Sequence, residues 1–383
     1  MSKVGKILLR VSGVLFEWAL ILLICFAFLI RQSSFQTYIA QQVSKYFSKE
    51  WKTKLTIKKV DINLFDRIYL EGVSLLDRKG NTLLKVASLE VTILEFGMDR
   101  ASLNAITLNE GKVWVYKDAS DGKMNFAFLT DYFASDDTTS SSTIFHIDLH
   151  QLNLKNTTLK YDDFTVKPTD FGFDPNHVEI VNLTLLLSNL TSNGTDVAFH
   201  IDDLKFKDQS GLEIKHLSTS FAMTELGLKL NNLHLALNRS NINAQELGYA
   251  FDKIQDKQDF LHKARILCKL KQSNVHLTDV SYLVPELKGM DEDIRLKGTI
   301  HNLPSQIKIS DLEISLRKNT RIKANLELPD MAKGSSYRFT QKIVEAKVDM
   351  NEINAIKLPG GQPLNLGKEL CAFGTVSFNN LTL

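Results

Sequence analysis

The chain has 383 residues, with 46 Lys and Arg against 44 Asp and Glu, and a formal charge of +2 lacks the basic excess of a nucleic-acid binder. Gly (19) and Pro (7) are too few for a linker-rich or collagenous chain. Three cysteines, Cys25, Cys268 and Cys371, cannot staple a scaffold of this length, so stability has to come from burial.

Residues 11–30, VSGVLFEWALILLICFAFLI, supply about the ~20 apolar positions that a helix needs to cross a hydrocarbon core. Glu17 interrupts the run, but near its N-terminal end, where water or protonation softens the penalty. Lys3, Lys6 and Arg10 precede the run and only Arg31 follows closely, which places the N-terminus in the cytoplasm and the body across the membrane. The run exceeds a signal-peptide core and no small-residue cleavage site follows it, so the expectation is an uncleaved single-pass anchor over 1–31. Next, Phe35, Tyr38, Ile39, Val43, Tyr46, Phe47 and Trp51 fall on one helical stripe. This predicts an amphipathic helix over 32–52 that packs its apolar stripe over the end of the following domain.

Beyond Trp51 the dominant period is two, as at Leu226, Leu228 and Leu230, which marks strands with one dry and one wet face. A finer pattern recurs, two alternating apolar pairs separated by two polar or small residues. It sets Leu55 and Ile57 before Val60 and Ile62, Ile68 and Leu70 before Val73 and Leu75, and Leu84 and Val86 before Leu89 and Val91. It returns as Ile147 and Leu149 before Leu152 and Leu154, and as Phe199 and Ile201 before Leu204 and Phe206. The last two instances are Leu228 and Leu230 before Leu233 and Leu235, and Ile307 and Ile309 before Leu312 and Ile314. A one-residue skip in an ideal strand throws the second half onto the wrong face. Lys-Lys, Ala-Ser and His-Gln suit the positive φ of tight hairpins poorly, so β-bulges are the expected device, each adding a bend. The fold class expected is therefore mainly β: a transmembrane helix followed by an elongated, curved antiparallel β-sheet groove. Its dry face would be lined by Leu55, Ile57, Val60, Ile62, Ile147, Leu149, Phe199, Ile201, Leu204, Leu228, Leu230, Leu233, Leu235, Ile307, Ile309, Leu312 and Ile314.

Turn sequences at 77–81, 109–111 and 119–122 separate the strands at meander spacing. The segment 134–143, ASDDTTSSST, has nothing to bury and reads as a flexible loop. The organisation expected is a first groove segment over 53–133, that loop, and a continuing segment over 144–383 open at its C-terminus. No helix of βαβ type is foreseen, and residues 245–263 read as either a helix or a long loop. About 25 strands at ~4.8 Å spacing would make a trough roughly 120 Å long.

Common enzyme signatures are absent: no Gly-rich phosphate loop, G-x-S-x-G elbow, H-E-x-x-H or paired C-x-x-C. His146, Asp148 and His150 alternate on a strand, but the two histidines would stand about 13 Å apart, too far for one ion. Asp162-Asp163 and Asp202-Asp203 read as turn or bulge residues, and Cys268 as an inert buried thiol without an activating base. Asn156, Asn182 and Asn189 head glycosylation sequons that reflect polar residues on wet strand faces. The sequence thus foresees no catalytic residue, metal or cofactor. An uncovered face of Leu, Ile, Val and Phe without fixed polar partners suits acyl chains, which need burial and little directional bonding.

Residues 35–93 carry a further signal, especially Leu70-Glu-Gly-Val-Ser-Leu-Leu-Asp77 and Gly80-Asn-Thr-Leu-Leu84. They resemble the N-terminal region of TamB proteins, of the AsmA-like superfamily, in their Bacteroidota form. A second block over 273–329, with Val275-His-Leu-Thr-Asp279 and Gly298-Thr-Ile-His-Asn-Leu303, is similar to the same family. The resemblance implies an inner-membrane-anchored periplasmic protein with a repeating β-groove, whose partner is inner-membrane phospholipid moving toward the outer membrane. It also implies an alternative, a scaffold for outer-membrane protein assembly beside an Omp85-type barrel. It supplies no catalytic residues. The chain departs from the family by being short, closing at 378–383 inside what reads as a strand, which suggests a truncated or split member and an edge where a second chain can pair.

Overall fold

A computed structural model describes residues 21–382 apart from 22–23, 26–27, 64–65, 97–99, 135–145, 194 and 329–339. The anchor expected at 11–30 lies mostly outside them, and among the described residues no helix is long and apolar enough to cross a membrane. Helix α1 (Ser33–Glu50) leads into the strands β1 (Leu55–Thr56), β2 (Lys59–Asn63), β3 (Arg67–Leu76), β4 (Thr82–Phe96) and β5 (Arg100–Lys117). After helix α2 (Ala127–Ala134) come β6 (His146–Asp163), β7 (His177–Asn193), β8 (Asp196–Asp208), β9 (Glu213–Thr224), β10 (Gly227–Ala236) and β11 (Asn241–Ala250). The series ends with β12 (Arg265–His276), β13 (Asp293–Asn302), β14 (Lys308–Leu316), β15 (Thr320–Glu327), β16 (Thr340–Asp349) and β17 (Thr375–Thr382).

All 17 strands belong to one open, curved sheet. β1 and β2 lie end to end along the outer side of β3, and each later strand pairs with the one before it through to β17. Pairing is antiparallel except at β5 and β6, which run parallel. That step corrects the all-antiparallel expectation: the two strands need a crossover, and the one present carries α2. Phe128 of α2 packs with Leu75 and Leu83 in a small cluster that Trp51, Leu55, Leu84 and Val115 flank. The sheet continues unbroken past the segment expected to divide it, 134–143, which from 135 onward lies outside the described residues. With β1 and β2 sharing one position, 15 steps of ~4.8 Å give a width of about 70 Å, shorter than foreseen because the strands are longer and fewer. Residues 245–263 divide between β11, a 3₁₀ turn at Ile254–Gln258 and helix α3 (Phe260–Lys263).

Three of the seven repeated dipeptides behave as bulges. Asn231-Asn232, Ser310-Asp311 and Asp202-Asp203 sit at pairing shifts inside β10, β14 and β8. Asn232 and Asp311 take φ of 51° and 52°, a left-handed conformation that short polar side chains tolerate best. Glu71-Gly72, Ala87-Ser88 and His150-Gln151 lie inside β3, β4 and β6 with no shift in register, contrary to the bulges expected there, while Lys58-Lys59 marks the break between β1 and β2. None is a hairpin tip. The sequon asparagines Asn156, Asn182 and Asn189 do the same work, at φ of 50°, 55° and 54°. Their role is conformational rather than a by-product of a wet face.

On the side of the 77–81, 164–176, 237–240, 277–292 and 350–374 connections, each loop is tied to another. The Tyr116 hydroxyl donates to Asp77 Oδ2 at 2.6 Å, and Phe173 N–H to the Tyr282 carbonyl at 2.6 Å. Asp279, 1% exposed, accepts from the backbone N–H groups of Arg239 and Ser240 at 2.8 and 2.7 Å. Arg317 Nε donates to Glu292 Oε2 at 3.1 Å, and Gly360 N–H to the Lys288 carbonyl at 2.6 Å. This makes one rim a continuous tie along the curved sheet.

Candidate functional site: an apolar face and its mouth

The pairing registers assemble the expected dry face into rows. Val60, Leu70, Leu89, Leu108, Leu154, Leu185, Leu204, Leu217, Leu235 and Ile242 stand directly opposite one another across ten successive strands, β2 to β11. A second row, Phe199, Phe221, Leu230, Leu247, Cys268, Ile300, Ile309 and Leu326, continues from β8 to β15. Ile62 and Ile201 end a third row, and Ile314 pairs between Leu296 and Ile322. Leu149, Leu228, Leu233 and Leu312 extend these rows against Leu190, Tyr249, Ala244 and Ala324. The bulges make this continuity work, since each absorbs the extra residue that would otherwise flip the second half of its strand.

Three of the 17 expected residues fall elsewhere, and a fourth is known only by its strand position. Leu55 packs against the small cluster under α2. Ile57 lies in the break between β1 and β2, and Ile307 follows a 3₁₀ turn just before β14. Ile147 sits on β6, but its side chain is outside the described residues, as is that of His146. Most of the others are half-buried, with Val60, Leu149 and Leu233 buried. Cross-strand neighbours cover their flanks, and no second layer lies over them among the described residues. The whole chain exposes 24391 Å², whereas a compact fold of 43.3 kDa exposes about 15,000 Å². A single-layer sheet of 17 strands contributes to that excess.

The mouth of this face lies beside α1, and here the helix corrects its expected orientation. Its polar side makes the hydrogen bonds to the sheet edge, while the apolar stripe divides: Trp51 packs on the Leu75, Leu83 and Phe128 cluster as expected, and the middle of the stripe does not close on the sheet. Gln36 acts as a short β-strand: Nε2 donates to the carbonyls of Ile62 at 2.7 Å and Ile30 at 2.8 Å, while Oε1 accepts from Ile62 N–H at 2.6 Å. Thr37 accepts from Val60 N–H at 2.9 Å, Ser33 donates to the Val60 carbonyl at 2.8 Å, and Ser48 accepts from Leu55 N–H at 2.9 Å. Free N–H and C=O groups of an edge strand need partners, and that requirement sets the helix face. Tyr38, Ile39, Val43 and Tyr46 are consequently exposed, while Phe47 and Trp51 pack together at the helix C-terminus, their ring centroids 4.8 Å apart. Between helix and edge is an apolar cavity of ≈ 390 Å³ lined by Ile30, Phe35, Gln36, Ile39, Ala40, Val43, Ile57, Val60 and Ile62. The sealing residues Ser33, Gln36, Thr37 and Ser48 form a polar row at helical spacing that the apolar pattern alone did not reveal.

The polar face holds a constellation that the sequence did not announce. Ser220 Oγ lies 2.9 Å from His200 Nδ1, and Asp202 Oδ1 lies 3.5 Å from His200 Nε2. A serine nucleophile also needs oxyanion donors, but here the neighbouring backbone sits within a strand ladder. Asp203 binds His216 at 2.6 Å and Lys205 at 2.6 Å; burial would raise its pKa, but these partners hold it below the usual carboxylate range. Burial pushes the Cys268 thiol up, the opposite of nucleophilic activation. Among the described residues no group of three His, Cys, Asp or Glu is arranged to hold a metal. No family model, no curated protein and no solved structure matches the chain.

Proposed function

We propose that the chain is a single-pass, inner-membrane-anchored periplasmic protein, TamB/AsmA-like and without enzymatic activity, whose apolar sheet face binds or conducts phospholipid between the inner and outer membranes. The observation that carries this reading is the unbroken apolar row from Val60 to Ile242, half-buried beyond Val60. Acyl chains suit such a row because they gain roughly 0.8 kcal/mol per buried methylene and ask for no directional bond. The apolar cavity beside Ile30 gives a chain leaving the bilayer an entry on the same face. The second reading, a scaffold for outer-membrane protein assembly beside an Omp85-type barrel, draws on a different feature. The outer side of β17 has no strand partner among the described residues and offers backbone groups to a second chain.

Site-specific photo-cross-linking in bacterial cells tests both. A benzophenone side chain at Leu230 or Ile309, on the dry face, should yield phospholipid adducts, and one at Lys229, on the wet face, should not. Absence of lipid at both dry positions refutes the groove. Adducts with unfolded outer-membrane proteins, concentrated at a probe in β17, move the assignment to the scaffold.

A further inference from the structure

The polar face of the first strands carries a feature that the groove reading does not use. Thr56, Ser74, Lys85, Lys112 and Thr158 stand directly opposite one another on β1, β3, β4, β5 and β6. Two lysines thus face each other across one ladder step, with hydroxyls on either side, and like charges so placed work against the pairing. Lys58 joins them from the break between β1 and β2, its aliphatic stem lying over Gly72, where a Cβ has no room. Together they line a cavity of ≈ 570 Å³. It forms where Gly72, Glu110 and Asn156, with φ of 63°, 52° and 50°, bend three strands.

Three cross-strand lysines elsewhere in the sheet face a carboxylate, Lys229 with Glu246, Lys297 with Glu313 and Lys323 with Glu345, whereas Lys85 faces a second lysine. Lys58, Lys85 and Lys112 make no ion pair among the described residues, although Glu71 and Glu110 also line the cavity. A cationic row left unmatched inside a concavity, with hydroxyl donors beside it, lacks an anion. We propose that this cavity binds a phosphate group, held by Lys85 and Lys112 with Lys58 closing from the sheet edge and Ser74 and Thr158 donating hydrogen bonds. Ammonium groups and hydroxyls supply the several donors that phosphate oxygens accept at once. Glu71 and Glu110 favour a phosphate that carries a hydroxyl or amine on its far side. Two sources share this chemistry: a phospholipid headgroup, or a soluble phosphate compound.

The test uses the full chain in detergent micelles, titrated calorimetrically with inorganic phosphate and, separately, with short-chain phosphatidylglycerol. Wild type should bind at least one of them saturably, and K85Q/K112Q should bind it at least tenfold more weakly. K85R/K112R should retain binding. Without ligand, K85Q/K112Q should melt no lower than wild type, because the opposed charges are gone, and should still give lipid adducts at position 230, which separates this site from the groove. A response to inorganic phosphate supports a soluble source; a lysine-dependent response to phosphatidylglycerol alone supports a headgroup. Affinities unchanged in K85Q/K112Q, or no binding of either probe by wild type, overturn the proposal.

Discussion

Replacing Gln36 with Leu keeps the volume of a side chain that is only 9% exposed and removes three hydrogen bonds, two to Ile62 and one to the Ile30 carbonyl. At about 1 kcal/mol each the loss is about 3 kcal/mol, more if the Ile62 N–H finds no water. The cost is local, because among the described residues β2 pairs with no strand but β3 and is otherwise held by α1, so it should appear as opening of the edge rather than as global unfolding. An opening made about 3 kcal/mol easier speeds amide exchange roughly 100-fold. Hydrogen exchange read residue by residue on Q36L should show that acceleration at Ile62, a smaller one at Val60, which Thr37 and Ser33 still hold, and none in β10 to β14. The freed edge should also make the variant more prone to self-association. If exchange at Ile62 rises less than threefold, Gln36 is not what closes this edge and the account of the orientation of α1 fails.

Asn232→Val forces a β-branched residue into φ 51° and should cost about 1–2 kcal/mol, read as a lower denaturation midpoint, whereas Asn232→Gly should be near neutral. Phe128→Ala removes the centre of the one cluster that pins α2, at 4% exposure, and should cost about 3–5 kcal/mol with loss of near-ultraviolet dichroism. For His177, burial works to lower the pKa, but the Val166 carbonyl and Asp162 outweigh it and hold the folded value above the ordinary one. Its contribution to stability is therefore complete below about pH 6.5 and is lost as the pH rises through the folded value, so the melting temperature should fall over that interval. His177→Gln should flatten that fall; an equally steep fall in the variant would exclude His177 as its source.

What was legible in the sequence and what was not follow from the range of the interactions. The skip between Leu230 and Leu233 is local, and because a one-residue slip flips a whole strand, the two-polar-residue spacer was enough to place a bulge at Asn231-Asn232. Pairing direction is not local. Nothing between Lys117 and His146 distinguishes a long hairpin from a crossover, so the parallel β5–β6 step escaped notice. Fewer strands form than expected for a related reason: each bulge resembles a strand end, and β6, at 18 residues, contains one at Asn156 while β7, at 17, contains two, at Asn182 and Asn189. The dry rows were legible residue by residue, while the seal at Gln36 was not, because it answers to an edge that exists only once the sheet is assembled.

That edge bears on how the dry face is to be understood. An open single-layer sheet has two hazards, unpaired strand edges and an uncovered apolar face. At the β1/β2 end the chain meets the first with side chains from four positions of α1 aimed at backbone groups of three edge residues. The second it meets only in part, since the rows beyond β2 stay mostly half-buried, although α2 shows that a connection can be folded back to bury Leu75 and Leu83. A protein that seals its edge through a helix whose mid-stripe residues stay exposed does not lack the means to cover a face. On the lipid-conduction reading proposed above, the occupant slides as well as binds, and an acyl chain suits this because successive positions along a row of Leu and Ile offer it nearly equal burial. A folded protein segment would need fixed hydrogen-bond partners, and those occur at the outer side of β17, not on the face. Lipid adducts should therefore be distributed evenly along the row from Val60 to Ile242, and adducts confined to one position would show a static lipid site instead of a path.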